Sequence, residues 1–211
     1  MPARYRKFTA SWKAVNLNWE YRLWDRDSLR LVLEQRWSGL LPAFDGTPWP
    51  GAQADIGRYA VLEAHGGLYA DVDTLCVRSI DRLLRPPRAT LVVQDYPPPQ
   101  FYVPGDPPFK WVTNSIILSA AGHPIWRPVL TEISTFWDLG PFWWLITGPG
   151  MFRRHAAEHA DQHPEDVEVQ GPPRIVTSYT RPEWRMRLEA MVDPRALVLD
   201  FNDSARASPP W

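Results

Sequence analysis

Asp71 and Asp73 close the run Gly66-Gly67-Leu68-Tyr69-Ala70-Asp71-Val72-Asp73. On an extended strand such a pair shares one face, roughly 7 Å apart along the chain. Two carboxylates so placed repel each other, and a divalent cation beside them removes the repulsion. Oxygen-only ligands suit a hard ion such as Mg²⁺ or Mn²⁺, held by one or two carboxylates with substrate phosphates completing its shell. An EF-hand loop is excluded, because Thr74-Leu75-Cys76 supplies neither the third acid nor the glycine. An isolated Asp-x-Asp is more often an exposed strand end than a site, so context decides. Asp55 and Arg58 stand three apart on the preceding segment, hence on one helix face. Their surroundings are nearly all apolar, where charges must be paired or serve a site. A mutual salt bridge is the plain account. Yet the same segment leads directly into Asp71 and Asp73, which gathers all four charges in one neighbourhood.

The elements that must position these residues follow from periodicity. Residues 53–65 read as the strongest helix in the chain, apolar almost all round and therefore buried. Gly66-Gly67 ends it in the manner of a left-handed cap, and Leu68–Asp73 continues at strand spacing. Upstream, residues 19–25 alternate and are rich in aromatics, which predicts a strand. Asp27 to Trp37 has helical spacing, with Asp27 or Ser28 as cap. Residues 42–50, with three prolines and Gly46, read as a loop outside regular structure. Downstream, Thr90–Gln94 and Asn114–Ser119 read as strands. The segment 96–109 between them carries six prolines and reads as a long loop. Its Tyr96, Phe101, Tyr102 and Phe109 are candidates for the wall of an acceptor site. Pro124–Trp137 reads as a helix that Pro128 would kink or shorten, and another runs from Thr147-Gly148-Pro149-Gly150 to about Glu158. Strands at Arg174–Thr177 and Ala196–Asp200 flank a helix at Glu183–Met191. This alternation predicts one α/β domain over residues 1–211.

Bulk properties narrow the partners. The 211 residues carry a formal net charge of −1, so no basic excess argues for nucleic acid. Cys76 is the lone cysteine and forms no internal disulfide. No run approaches the roughly 18 apolar residues of a membrane span, and the basic N-terminus has no apolar stretch behind it to make a signal peptide. The chain as given therefore reads as cytoplasmic, with a membrane or secretory-pathway placement if an N-terminal anchor precedes it. The chain is rich in Trp and Pro, 12 and 23 residues. Trp stacks on sugar rings as readily as it fills cores, so it fits a carbohydrate site without proving one. Ala64-His65-Gly66-Gly67 is faintly like an oxyanion loop, but no Gly-x-Ser-x-Gly supplies a nucleophile. A dinucleotide-binding Gly-x-Gly-x-x-Gly is likewise missing from the sequence.

Ala54-Asp55-Ile56-Gly57-Arg58-Tyr59 followed by Gly66–Asp73 resembles the signature of the sugar-binding DXD glycosyltransferases. These are the family-32 enzymes related to yeast mannosyltransferases and, more distantly, to the clostridial toxin glucosyltransferases. Trp19–Asp25, Thr113–Ser119 with Gly122-His123-Pro124, and Thr147-Gly148-Pro149 are similar to further blocks in the same order, so the likeness spans about residues 12–152. It implies a GT-A-like nucleotide-sugar-binding fold, a mixed sheet flanked by helices, and transfer of a hexose with retention. The donor would be a UDP- or GDP-sugar and the acceptor a glycan or other hydroxyl. Asp71 and Asp73 would hold Mn²⁺ or Mg²⁺ and the diphosphate. Asp55 and Arg58 would bind and position the donor sugar, Tyr69 would line the nucleotide side, and Asn114 would lie beside the sugar. For His123 and Thr147 the plain reading is a turn or cap residue. The family usually opens with a strand of the type Ile-Pro-Lys-Ile-Ile-His-Gln-Xaa-Trp and has a histidine near a late Gly-Ser-Trp. Here the first strand would be lacking, and the chain closes on Ala207-Ser208-Pro209-Pro210-Trp211 without the histidine. The second reading is accordingly an inactive relative that binds a sugar or a protein partner.

Overall fold

The computed structural model describes residues 3–83, 91–95, 112–138, 143–170, 174–177 and 182–201. Its helices are α1 (Ala3–Val15), α2 (Arg26–Arg36), α3 (Leu41–Gly46), α4 (Pro50–His65), α5 (Trp126–Phe136), α6 (Trp143–Ile146), α7 (Pro149–Gln162) and α8 (Glu183–Val192). Its strands are β1 (Gly67–Ala70), β2 (Thr74–Cys76), β3 (Leu91–Asp95), β4 (Val112–Ser119), β5 (Val167–Gln170), β6 (Ile175–Thr177) and β7 (Val198–Asp200). A four-stranded sheet has the order β1-β4-β3-β5, antiparallel except for the β3–β5 pair. A smaller sheet has the order β2-β7-β6, so β1 and β2, joined by a tight turn, belong to different sheets.

β4 is the hinge of the packing because it is apolar on both faces. Ile117 packs with Tyr59, Leu62, Trp126, Val129 and Phe152 from α4, α5 and α7. Ile116 and Leu118 turn the other way, toward Trp12 of α1, Cys76, Leu197 and Val198. Period-two alternation along one strand thus serves two cores. A third cluster joins Phe8 of α1 to Met186 and Ala190 of α8 and to Phe201, whose ring stacks on Phe8 at 4.8 Å. Within α4 every residue from Asp55 to Leu62 is buried, as expected of a helix without a polar stripe. Glycine lets it pack closely: a Cβ on Gly57 would stand 2.6 Å from Leu29 Cδ1 of α2. Gly66 ends it with φ of 64°, and a Cβ there would fall 2.4 Å from the Ala121 backbone nitrogen. Only glycine satisfies both conditions.

Several expectations are corrected. Residues 19–25 form no strand. Their aromatics dock individually: Trp19 Nε1 donates to Asp81 at 2.7 Å, and the Trp24 ring stacks on His65 at 5.6 Å. The alternation there records anchoring contacts and not a pleat. α2 is capped by Asp25, ahead of the expected Asp27 or Ser28: Ser28 N–H donates to Asp25 Oδ1 and Asp25 N–H donates to Ser28 Oγ, both at 2.9 Å. Residues 42–50 are partly helical, since Pro42 and Pro50 sit in the first turns of α3 and α4, where no amide hydrogen bond is lost. Pro128 likewise lies in the first turn of α5, so that helix begins at Trp126 and not at Pro124. The proline-rich segment 96–109 lies outside the described residues.

Candidate active site

α4 carries the charges of the site inward. Asp55 and Arg58 are 3% and 5% exposed. Asp55 Oδ1 accepts from Asn114 Nδ2 at 2.8 Å and from Arg58 Nη2 at 3.0 Å, and its Oδ2 accepts from Thr147 Oγ1 at 3.3 Å. The second contact of Arg58 Nη2 is Asp71 Oδ1, at 3.2 Å. Arg58 Nη1 donates to the Asn114 carbonyl, Nε donates to the Ala54 carbonyl, and the guanidinium lies 4.6 Å from the Tyr69 ring centroid. Tyr69 Oη donates to the same Asp71 oxygen at 2.9 Å. Asn114 Nδ2 also reaches Tyr59 Oη at 2.7 Å, and that hydroxyl donates to the Thr147 carbonyl at 2.9 Å. Helix α4, strand β1, strand β4 and the turn before α7 therefore meet in one closed hydrogen-bonded group.

The acidic pair is not on a strand. β1 ends at Ala70, and Asp71–Thr74 is a turn in which Thr74 N–H and Oγ both donate to the Asp71 carbonyl, at 3.1 and 2.6 Å. The expected strand spacing of the two carboxylates is thus replaced by turn geometry, because Thr74 turns its amide and hydroxyl back onto the Asp71 carbonyl as the chain passes from β1 to β2. Asp71 keeps 26% side-chain exposure, the most open of the site's carboxylates. Asp73 is 5% exposed, and its carbonyl accepts from Phe201 N–H at 3.2 Å at the end of β7. Beside it on β7, Asp200 is 1% exposed and accepts from Ser115 Oγ at 2.9 Å.

Burial pushes the Asp55 carboxyl up to about 7, Asp71 adding to the rise while Arg58, Asn114 and Thr147 oppose it. For Arg58 burial works to lower the pKa, but the negative partners Asp71, Tyr69 and Asp55 outweigh it and hold the group charged. Burial also raises Tyr69 and Tyr59 well above the ordinary tyrosine range. Cys76 is buried and raised to about 11 by desolvation, so it is an inert thiol and not a nucleophile.

Asp55, Arg58, Tyr69, Asp71 and Asn114 come together by direct contact, whereas Asp73, two residues after Asp71 in the turn, is buried against the end of β7. Thr147, Ser115, Tyr59 and Asp200 complete the neighbourhood. Thr147 is in a turn, as its Thr-Gly-Pro context predicts, but its hydroxyl serves Asp55. The available signal was its place immediately before a helix, within a block already singled out.

The fold has a counterpart among solved structures. The chain has the α/β, GT-A-like fold of a glycosyltransferase: it superposes on the solved PaToxG Glycosyltransferase with a TM-score of 0.53 and 17% identity, over 78% of this chain and 64% of that one. Residues 2–89 match the glycosyltransferase sugar-binding region containing the DXD motif. Among curated relatives, Inositol phosphoceramide mannosyltransferase 3 of Schizosaccharomyces pombe is 29% identical over 119 residues, 56% of this chain and 30% of that protein. Inositol phosphoceramide mannosyltransferase 2 of the same yeast is 32% identical over 132 residues, 57% of this chain and 38% of that protein. The chain thus spans about a third of the length of the curated relatives that it matches. Among the described residues, no helix is long and apolar enough to cross a membrane.

Proposed function

We propose that this chain forms the donor site of a metal-dependent glycosyltransferase that moves a hexose from a nucleotide-diphosphate sugar to a glycan or other hydroxyl acceptor, with retention. The observation that carries this reading is the buried Arg58 guanidinium, shared between Asp55 and Asp71 directly beneath the Asp71–Asp73 turn. A buried cation held between two carboxylates costs desolvation that a hydrophobic replacement would avoid. Fixing Asp71 for a ligand accounts for that cost. Mannose is the sugar we favour, since the yeast relatives are named as mannosyltransferases.

The donor set fits a hard divalent ion: the turn offers the carboxylates of Asp71 and Asp73, with Asp71 partly open to solvent. Asp71 and Asp73 would hold Mn²⁺ or Mg²⁺, and the ion would supply positive charge against the leaving diphosphate. The chain's own groups do the rest. Arg58 and Tyr69 fix the Asp71 carboxylate through one oxygen. Asn114 and Thr147 fix Asp55, so that these side chains form the inner wall against which the donor sugar seats. Tyr69 lines the nucleotide side. Groups fixed in advance need little reorganisation as charge develops on the leaving group. The reading is tested by donor turnover with Mn²⁺, comparing GDP-mannose with UDP-hexoses. Release of the nucleoside diphosphate supports it, and a chain that binds donor without ever turning it over would favour the inactive relative.

A further inference from the structure

At the far end of β4 from Asn114 lies a second polar cluster that the donor site does not use. His123 precedes α5, His159 lies on α7 and Asp166 immediately precedes β5. Each offers one ligand atom, and the three atoms lie within 4.8 Å of one another. His123 Nε2 stands 3.0 Å from Asp166 Oδ2, and His159 Nε2 stands 2.9 Å from the same oxygen. Side-chain exposure rises from 0% at His123 to 11% at His159 and 22% at Asp166, so the cluster is seated in the fold with one open side. The rings of His123 and His159 meet edge to face at 5.0 Å, and the His163 ring lies 5.0 Å from that of His159. The backbone fixes these positions: His163 N–H donates to the His159 carbonyl at 2.8 Å, and Asp166 N–H to the His163 carbonyl at 3.0 Å.

We propose that His123, His159 and Asp166 form a second metal site, for a borderline ion of the Zn²⁺ class, that ties the β4–α5 turn, α7 and β5 together. A tetrahedral zinc with ligand bonds of about 2.0–2.2 Å has ligand–ligand edges of roughly 3.4 Å. The separations of 2.9 and 3.0 Å therefore open by about half an ångström around an ion, while the two ring nitrogens, within 4.8 Å of each other, draw together. Two imidazoles and one carboxylate suit zinc or cobalt better than the hard oxygen-seeking ions of the Asp71–Asp73 turn. His163, exposed and adjacent, or water takes the fourth position. Coordination through Nε2 moves the His123 ring proton to Nδ1 and gives up a long 3.3 Å contact from the Ile125 N–H. That is a small loss against three metal–ligand bonds.

The test uses the whole, tag-free chain after chelator treatment, with Co²⁺ as a spectroscopic probe and Zn²⁺ for stability. Wild type should take up one Co²⁺ per chain with the strong visible bands of a tetrahedral site. At zinc about 100-fold above Kd, the melting temperature should rise by about 5–10 °C. His159→Ala, at the more open of the two imidazoles, should lose both responses, whereas Asp73→Asn should keep them. Wild-type protein that shows no tetrahedral cobalt spectrum overturns the proposal without recourse to any variant and leaves the cluster a hydrogen-bonded clamp. So does a His159→Ala chain that binds cobalt as wild type does.

Discussion

The two ends of β4 handle buried charge in opposite ways. At the Asn114 end, a permanent cation, Arg58, is held between two carboxylates and donates to the backbone, so the group is satisfied by the protein itself. At the His123 end, two imidazoles converge on one carboxylate oxygen with no permanent charge among the bases. The first arrangement holds one oxygen of the partly exposed Asp71 in place. The second gathers donors of mixed softness around one point. One strand and two helices that contact it, α4 and α7, thus carry a carboxylate-rich group and a nitrogen-rich cluster, and the two proposed metal sites differ in the ions that they should prefer.

Breaking the first arrangement at its cation should have the largest effect. Arg58→Met strands Asp55 and Asp71 beside each other, and removing one member of a buried pair costs about 3–5 kcal/mol. Urea unfolding measures this, and a loss below about 1 kcal/mol would show that the pair is not buried in solution. The joint between the two ends comes next. Gly66→Ala puts a Cβ into the Ala121 backbone at positive φ, two residues before His123, and should cost about 2 kcal/mol or more. An unchanged melting temperature would refute the close approach. A milder probe is Thr147→Val, which removes one hydrogen bond to Asp55 at a cost of about 1–2 kcal/mol and raises the Asp55 pKa further.

Most specific is the pH dependence. The Asp55 carboxyl is pushed up to about 7 from an unfolded value of about 4. Between those values the folded state binds more protons, so this group's contribution to stability is present in acid and is lost as pH rises toward 7. Asp55→Asn should remove that slope. Denaturation of both proteins at pH 5 and pH 8 checks it, and parallel slopes would contradict the burial of Asp55.

Much of this was legible in the residues. An apolar helix containing Asp55 and Arg58, ended by Gly66 and leading to Asp71, could be read because burial and spacing constrain it strongly. β4 was legible from its apolar stretch Ile116-Ile117-Leu118, although Asn114 and Ser115 interrupt the pattern. Side-chain docking was harder to see. Residues 19–25 alternate as a strand does, yet they alternate because Trp19 and Trp24 reach different neighbours. The turn at Asp71–Thr74 was hidden because the chain leaves one sheet for the other there, a change that no local pattern announces. α1 went unread although Phe8 and Trp12 stand four apart on its buried face. Asp200 and Ser115, distant in sequence, meet only through the sheets.

The central claim is that Asp71 and Asp73 form a metal–diphosphate site upheld by Arg58. It is tested most directly by thermal denaturation with millimolar GDP or UDP, with and without Mn²⁺. The melting temperature should rise with nucleotide and metal together, more than with either alone, and the rise should vanish in Asp73→Asn. A nucleotide shift that is indifferent to Mn²⁺, or one that survives Asp73→Asn, would contradict the claim.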